Sequence, residues 1–347
     1  MVLNFTRRQF NLGLAMAASS VPVGSCPALA QTGRVVVGVW GGDYQTISQG
    51  NIVDNLIAPT GLQTVFDTAN DTVRRTKLLA ERRLPRGSMD VVALTAAGSY
   101  QMYKNDTLEE LDASKLPNLA HVLPSLAKSY AIPQFFSGRV ILYNPAFVKT
   151  VPTSYNDLWN EEYSGKVGVI DVQYQATLES AALISGGSVS NFEPAKQKLL
   201  ELKKMGVRIY PTNESMAQAL SSGECVICIM WQSRGLSWKK GGVPIEIAYP
   251  KEGIGLFISD LAIPKNAPNK DAAYVYLNAA LDPVAQRAFA AIQGNAPSID
   301  NAVLSAELAA NVALPDDPGL KMLLPDQDYI SKNDAQLLDW WNKVFKA

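Results

Sequence analysis

Side chains able to do covalent or metal chemistry are few. The 347-residue chain holds one histidine, His121, and three cysteines, Cys26, Cys225 and Cys228. A single histidine removes His-rich metal sites and works against Ser-His-Asp or Cys-His catalysis, which needs a ring nitrogen as base. Cys225-Val226-Ile227-Cys228 has the spacing of a redox pair. Such a pair opens a helix, whereas this one lies in an apolar run of strand composition. Residues three apart on an extended strand point to opposite faces and lie roughly 10 Å apart, beyond disulfide reach. No second pair or nearby histidine completes a zinc set, so buried free thiols are expected and no metal or cofactor is. Gly-x-Ser-x-Gly and Gly-x4-Gly-Lys-Ser/Thr are missing, and Gly38-Val39-Trp40-Gly41-Gly42 is wrongly spaced for a dinucleotide loop. With 31 basic against 32 acidic residues, a net charge of -1, nothing suggests nucleic-acid binding. Arg74, Arg75, Lys77, Arg82 and Arg83 share one helical segment and read as a solvated face.

The elements that would hold these residues are those of a globular α/β protein. Hydrophobic residues make up 47% and charged residues 18%, which excludes disorder and a multi-span membrane protein. The length accommodates two domains. Thr6-Arg7-Arg8-Gln9-Phe10-Asn11-Leu12, a weakly apolar stretch to Ser20, and Ala28-Leu29-Ala30 follow the order of an export signal of twin-arginine type over residues 1–30. Val23-Gly24-Ser25-Cys26 is a weaker match to a lipoprotein box, so a soluble periplasmic form is expected ahead of a lipid-tethered one. Thereafter, strands are predicted at 34–40, 62–66, 90–94, 166–171, 207–210, 226–231 and 256–263. Helices are predicted at 45–58, 71–84 (capped by Asp71), 178–185, 194–205, 214–221, 272–280, 283–292 and 334–345. This alternation argues for mostly parallel sheets covered on both sides. Trp340 and Trp341 read as packing anchors of the last helix.

Several segments, in consistent order over about residues 34–300, resemble the extracellular solute-binding proteins of bacterial ABC importers, in particular the spermidine/putrescine-binding branch. They are Val39-Trp40, Asp90-Val91-Val92, Tyr130-Ala131-Ile132-Pro133 through Gly138 to Tyr143-Asn144, Tyr155-Asn156-Asp157-Leu158-Trp159 with Tyr163-Ser164-Gly165-Lys166, Gly223-Glu224 before Met230-Trp231, and Tyr249-Pro250-Lys251-Glu252-Gly253 with Leu261-Ala262-Ile263-Pro264. The resemblance implies a two-lobed periplasmic binding protein fold of type II, with hinge crossings near 138–140 and 258–261. Lobe one would comprise 34–138 plus 260–309. Lobe two would comprise 139–259, with 310–347 as C-terminal helices packed on it. It further implies a monomer that captures a small molecule and presents it to an inner-membrane ABC permease, with no bond made or broken.

The same resemblance places candidate ligand contacts. Trp40 stands where relatives set an aromatic over an aliphatic or ammonium chain, Trp231 at a second cleft aromatic, Phe257 at a third, and Thr95 at a small hydroxyl. The carboxylates that meet ammonium groups in polyamine binders fall instead at Val172 beside Asp171, at Gln175, and at Ser259 beside Asp260. A late tyrosine falls at Asn295. A one-residue displacement reverses side-chain direction on extended backbone. Arg139 and Arg234 each follow a cleft-side signature, and an Arg fork suits a carboxylate. The expected ligand is therefore a small organic amine, polyamine-like or an amino-acid-like zwitterion such as an ω-amino acid. Alternatives are a ligand sensor without transport, a two-domain enzyme, and an iron binder, for which Tyr143 and Tyr210 are the nearest candidates.

Overall fold

The computed structural model describes residues 33–315 and 319–347; the export signal expected over residues 1–30 lies outside them. Among the described residues eleven strands are formed: β1 (Arg34–Val39), β2 (Gln63–Thr68), β3 (Val91–Thr95), β4 (Ile132–Tyr143), β5 (Val167–Ile170), β6 (Arg208–Tyr210), β7 (Ile227–Trp231), β8 (Glu246–Ala248), β9 (Ile254–Ala262), β10 (Ala296–Pro297) and β11 (Met322–Leu323). The α-helices are α1 (Asp43–Ser48), α2 (Asp71–Glu81), α3 (Ala96–Lys104), α4 (Tyr174–Leu183), α5 (Glu193–Lys204), α6 (Asn213–Ser222), α7 (Gln232–Lys240), α8 (Lys270–Ala280), α9 (Pro283–Gln293), α10 (Ala306–Val312) and α11 (Gln327–Trp340). α1 continues as a wider helical turn, Gln49–Ile57.

The strands run in the order β2-β1-β3-β9-β4-β7-β5-β6. β1 pairs parallel with β2 and β3, and β5 pairs parallel with β6 and β7. Strands such as β1 (RVVVGV) and β7 (ICIMW) are nearly continuous apolar runs because helices cover both faces. β4 and β9 join the two halves. The first part of β4 pairs antiparallel with β9, Gly138 opposite Leu256, and with β10. Its second part pairs with β7, Arg139 opposite Trp231, and with β8. β4 thus changes partner strands between Gly138 and Arg139. β9 pairs with the first part of β4 from Leu256 to Leu261.

Two cores flank this junction. One gathers Val35, Val37 and Val39 with Ile52, Leu277 and Phe289. The other gathers Ile141, Leu158, Leu178 and Phe192 with Ile330, Leu337, Trp341 and Phe345, so the C-terminal helix completes that core. Trp341 is fully buried, a packing anchor as expected.

Candidate ligand-binding cleft

Two of the predicted aromatics stand at strand ends, Trp40 after β1 and Trp231 at the end of β7, and the third, Phe257, lies within β9. Trp40 follows β1, half-buried against the lobe-one core. Phe257, on β9, packs against that same core and faces Trp231 at the end of β7, ring centroids 5.4 Å apart. Trp231 and Phe257 thus meet across the junction, while Trp40 packs on the same core as Phe257 and meets Tyr44 edge to face, ring centroids 5.1 Å apart. Strand carboxyl ends are where open α/β sheets leave a crevice.

Each indole already carries a guanidinium. Arg74, from α2, places its guanidinium carbon 4.3 Å from the centroid of the Trp40 ring. Arg139, from β4, lies 5.5 Å from that of Trp231. Neither arginine is on the surface. Arg74 is 1% exposed, which corrects its assignment to a solvated helix face. It reads like its neighbours in sequence, but its side chain turns inward past Gly38, where a Cβ would lie 3.0 Å from the Arg74 Cδ. Its Nε donates to the Ala93 carbonyl at 2.7 Å and its Nη1 to that of Ala69, while Nη2 has no partner. Burial lowers its pKa to about 10, so it stays cationic at neutral pH. Arg139 is 3% exposed and donates from Nη1 to Glu179 at 3.1 Å, to the Ala176 carbonyl and to Ser180. It stands in the hinge as half of a buried ion pair, not as an open fork.

The other expected polar contacts are also engaged within the protein. Asp171, after β5, accepts from the Trp341 indole and from Lys346, each at 2.7 Å. Burial works against its ionisation, but these two partners outweigh it and hold its pKa below the ordinary value. Asp260 is fully buried in lobe one, bonded to Lys128 and Ser99; burial pushes its pKa up. Gln175 donates to Asp334, which also accepts from the Tyr174 hydroxyl. Asn295 donates to Gln293 at 2.9 Å. Ser259 is fully buried, its hydroxyl without a partner. Thr95 caps α3 through the Gly98 amide at 3.1 Å and donates its own amide to Asp71 at 2.9 Å. Arg234, on α7, is half-buried and forms no salt bridge among the described residues.

Sequence reasoning missed a second polar group at the junction. Asp71 is not the cap of α2; Asn70 is, accepting from the Val73 amide. Asp71 instead pairs with Arg75 at 2.7 Å, and Arg75 also donates to Gln101. The Arg75 charge is felt at Tyr174, the first residue of α4. The C-terminal helix spans the same edge: Asp328 accepts from Tyr100 of α3 at 3.1 Å, while Asp334 holds α4. Gly38 in an otherwise Val-rich strand was the one sequence signal for Arg74.

Cys225 and Cys228 are free and buried, and burial pushes the Cys225 thiol up to about 12. The Tyr210 hydroxyl bonds Glu224 at 3.1 Å. No cluster of three potential metal ligands occurs among the described residues. Two surface grooves lie away from the junction, one of about 470 Å³ beside Tyr274 and Asn278 and one of about 320 Å³ beside Tyr103 and Lys265.

Two α/β lobes on a shared pair of strands, with Trp231 and Phe257 in contact where they meet, have the architecture of a type II periplasmic binding protein. Residues 60–316 match the family model described as bacterial extracellular solute-binding protein, and the chain belongs to that family. Its place is accordingly the periplasm or cell exterior, and its protein partner an inner-membrane permease. Among relatives, the spermidine/putrescine-binding periplasmic protein of Escherichia coli K12 is 27% identical over 312 residues, covering 85% of this chain and 84% of the relative. The putrescine-binding periplasmic protein SpuD of Pseudomonas aeruginosa is 25% identical over 321 residues, 82% and 85% of the two chains. A solved GABA receptor structure superposes with a TM-score of 0.79 at 22% identity, over 90% of this chain and 98% of the other. An ABC transporter structure from Clostridium perfringens gives 0.76 at 24%, over 90% and 99%.

Proposed function

We propose that the chain captures a small organic amine between its lobes, in the crevice lined by Trp40, Phe257 and Trp231, and delivers it to an ABC permease for uptake. Lobe one in this reading is 34–138 plus the strand and helices from β9 to residue 309; the remainder is lobe two. Relatives that bind spermidine, putrescine or GABA support the amine class. One observation favours an amino-acid-like zwitterion over a polyamine. Asp71, Glu179, Asp171 and Asp260 are each already neutralised, by Arg75, Arg139, Lys346 and Lys128 respectively. A ligand with several ammonium groups needs a free carboxylate for each, because a buried charge requires a partner. Arg74 and Arg234, by contrast, form no salt bridge among the described residues and are cations in want of an anion.

Native mass spectrometry of freshly purified protein, followed by titration with polyamines, ω-amino acids, betaines and thiamine, tests this. Saturable binding of an ω-amino acid, tighter than of any polyamine, is the expected result. Tighter polyamine binding restores the other form of the reading, and no saturable binding across the panel refutes the amine class. Trp231→Ala or Trp40→Ala is expected to weaken binding by ~1–3 kcal/mol.

A further inference from the structure

Arg74 has an arrangement that packing alone does not explain. Its stem packs over Gly38, its guanidinium comes to rest against the Trp40 ring, and two of its nitrogens are spent on backbone carbonyls. Its Nη2 is buried and unpartnered. The acids nearest in sequence are committed elsewhere, Asp67 to Lys77 and Asp71 to Arg75. A desolvated guanidinium without an ion-pair partner is costly; Asp71 and Asp67 act on it only from a distance, and it is pressed onto one face of a half-buried indole that also meets Tyr44.

We propose that Arg74 is a charge-selecting positioning residue: through the Trp40 ring it makes the lobe-one end of the cleft favour the carboxylate end of the ligand and reject an ammonium. This rests on the reading of Trp40 as a cleft wall. A cation stacked on the rear face takes up the electron density that a ligand ammonium would use on the front face. A group on that front face lies about 8 Å from the guanidinium, given ordinary stacking distance. At an effective dielectric constant near 20, with allowance for salt, that separation changes a dissociation constant roughly 10-fold per unit charge, tighter for an anion and weaker for a cation. The platform therefore distinguishes ligands of equal length and shape by the charge of one end.

The experiment uses the full exported chain with three four-carbon probes: 1,4-diaminobutane, 4-aminobutanoate and butanedioate. Dissociation constants are measured calorimetrically for the unaltered protein, Arg74→Met and Arg74→Lys, with near-UV circular dichroism confirming a native fold. Arg74→Met should shift the diamine-to-amino-acid affinity ratio about 100-fold toward the diamine, about 10-fold from each end charge, and Arg74→Lys should retain the original ratio. A purely structural role would weaken all three probes alike and leave the ratio fixed, which overturns the proposal. A ligand-free readout accompanies it: quenching of Trp40 by iodide, caesium and neutral acrylamide, isolated by difference from Trp40→Phe. Arg74→Met should lower the iodide-to-caesium preference at Trp40 with acrylamide quenching unchanged; an unaltered preference also overturns the proposal. If the preference falls while none of the three probes binds, the Arg74 assignment stands and the amine reading of the ligand fails.

Discussion

Glu179→Gln is the most informative single substitution, because it separates a structural Arg139 from a ligand-reading one. The Arg139–Glu179 pair lies 3.1 Å apart with both side chains 3% exposed. Two unit charges about 4 Å apart attract by about 4 kcal/mol at an effective dielectric constant of 20. The amide retains an acceptor, and Arg139 keeps the Ala176 carbonyl and the Ser180 hydroxyl. The expected loss is therefore about 3 kcal/mol, at the lower edge of what breaking a buried pair costs. Arg139→Met should cost a similar amount by stranding the Glu179 carboxylate. The double change, Arg139→Met with Glu179→Met, should cost less than the two single changes combined, leaving a coupling of ~2 kcal/mol or more. Urea unfolding followed by circular dichroism measures each, and since β4 runs through both halves of the sheet the shift should move the main transition. If Glu179→Gln falls within ~1 kcal/mol of the unaltered protein, water reaches the pair. Arg139 would then be open to a ligand carboxylate, and its description as a locked hinge residue would be wrong.

Gly38→Ala should destabilise by about 1–3 kcal/mol, because its Cβ would meet the Met89 sulfur at 2.6 Å and the Arg74 Cδ at 3.0 Å; an unmoved urea midpoint would mean that the Arg74 stem is loosely held. The C-terminal helix should undock in acid ahead of the sheets. Asp171, held down by Lys346 and Trp341 against its burial, and Asp328, held down by Lys332 and Tyr100, both titrate below the ordinary value of 3.8. Depressed carboxylates contribute stability above the unfolded pKa and lose it as the pH falls through the folded one, so the change belongs below about pH 4. Tryptophan fluorescence of Trp341 reads it, Lys346→Ala should raise its midpoint, and a flat trace from pH 5 to 2.5 counts against it. Finally, Cys225 and Cys228 should resist thiol reagents in the native protein and react fully in urea, since both are buried and burial raises both thiols; rapid native labelling of either would contradict this.

Most of the fold was legible because parallel strands buried on both faces write their own signal. Residues 34–40, 90–94 and 226–231 are apolar runs bounded by Gly or polar residues, and each became a strand within a residue or two. α3 and α7 were missed. α3 starts in small residues, Ala96-Ala97-Gly98-Ser99, and carries buried Gly98 and Ser99 where periodicity looks for large apolar side chains. α7 has little amphipathic pattern because it lies between the sheet and α9. α4 begins at Tyr174, not Leu178, since its first turn is polar and meets Asp334 instead of the core. Trp40 and Trp231 could be placed at strand ends because strand ends are readable. The fate of the charges could not be read, because the partners of Asp171 and Asp260 lie 175 and 132 residues away in sequence. Arg74 was indistinguishable from Arg75 on helical spacing; only the tertiary gap at Gly38 decides which of them goes inward.

β4 has one property that no loop hinge shares. A single twelve-residue strand carries the hydrogen-bond register of both halves of the sheet at once. Slipping it by one residue would turn every side chain over on both sides together. The mutual alignment of Phe257 and Trp231 is consequently written into one covalent thread: it is inherited whenever the strand is correctly paired, and no separate docking step between lobes has to find it.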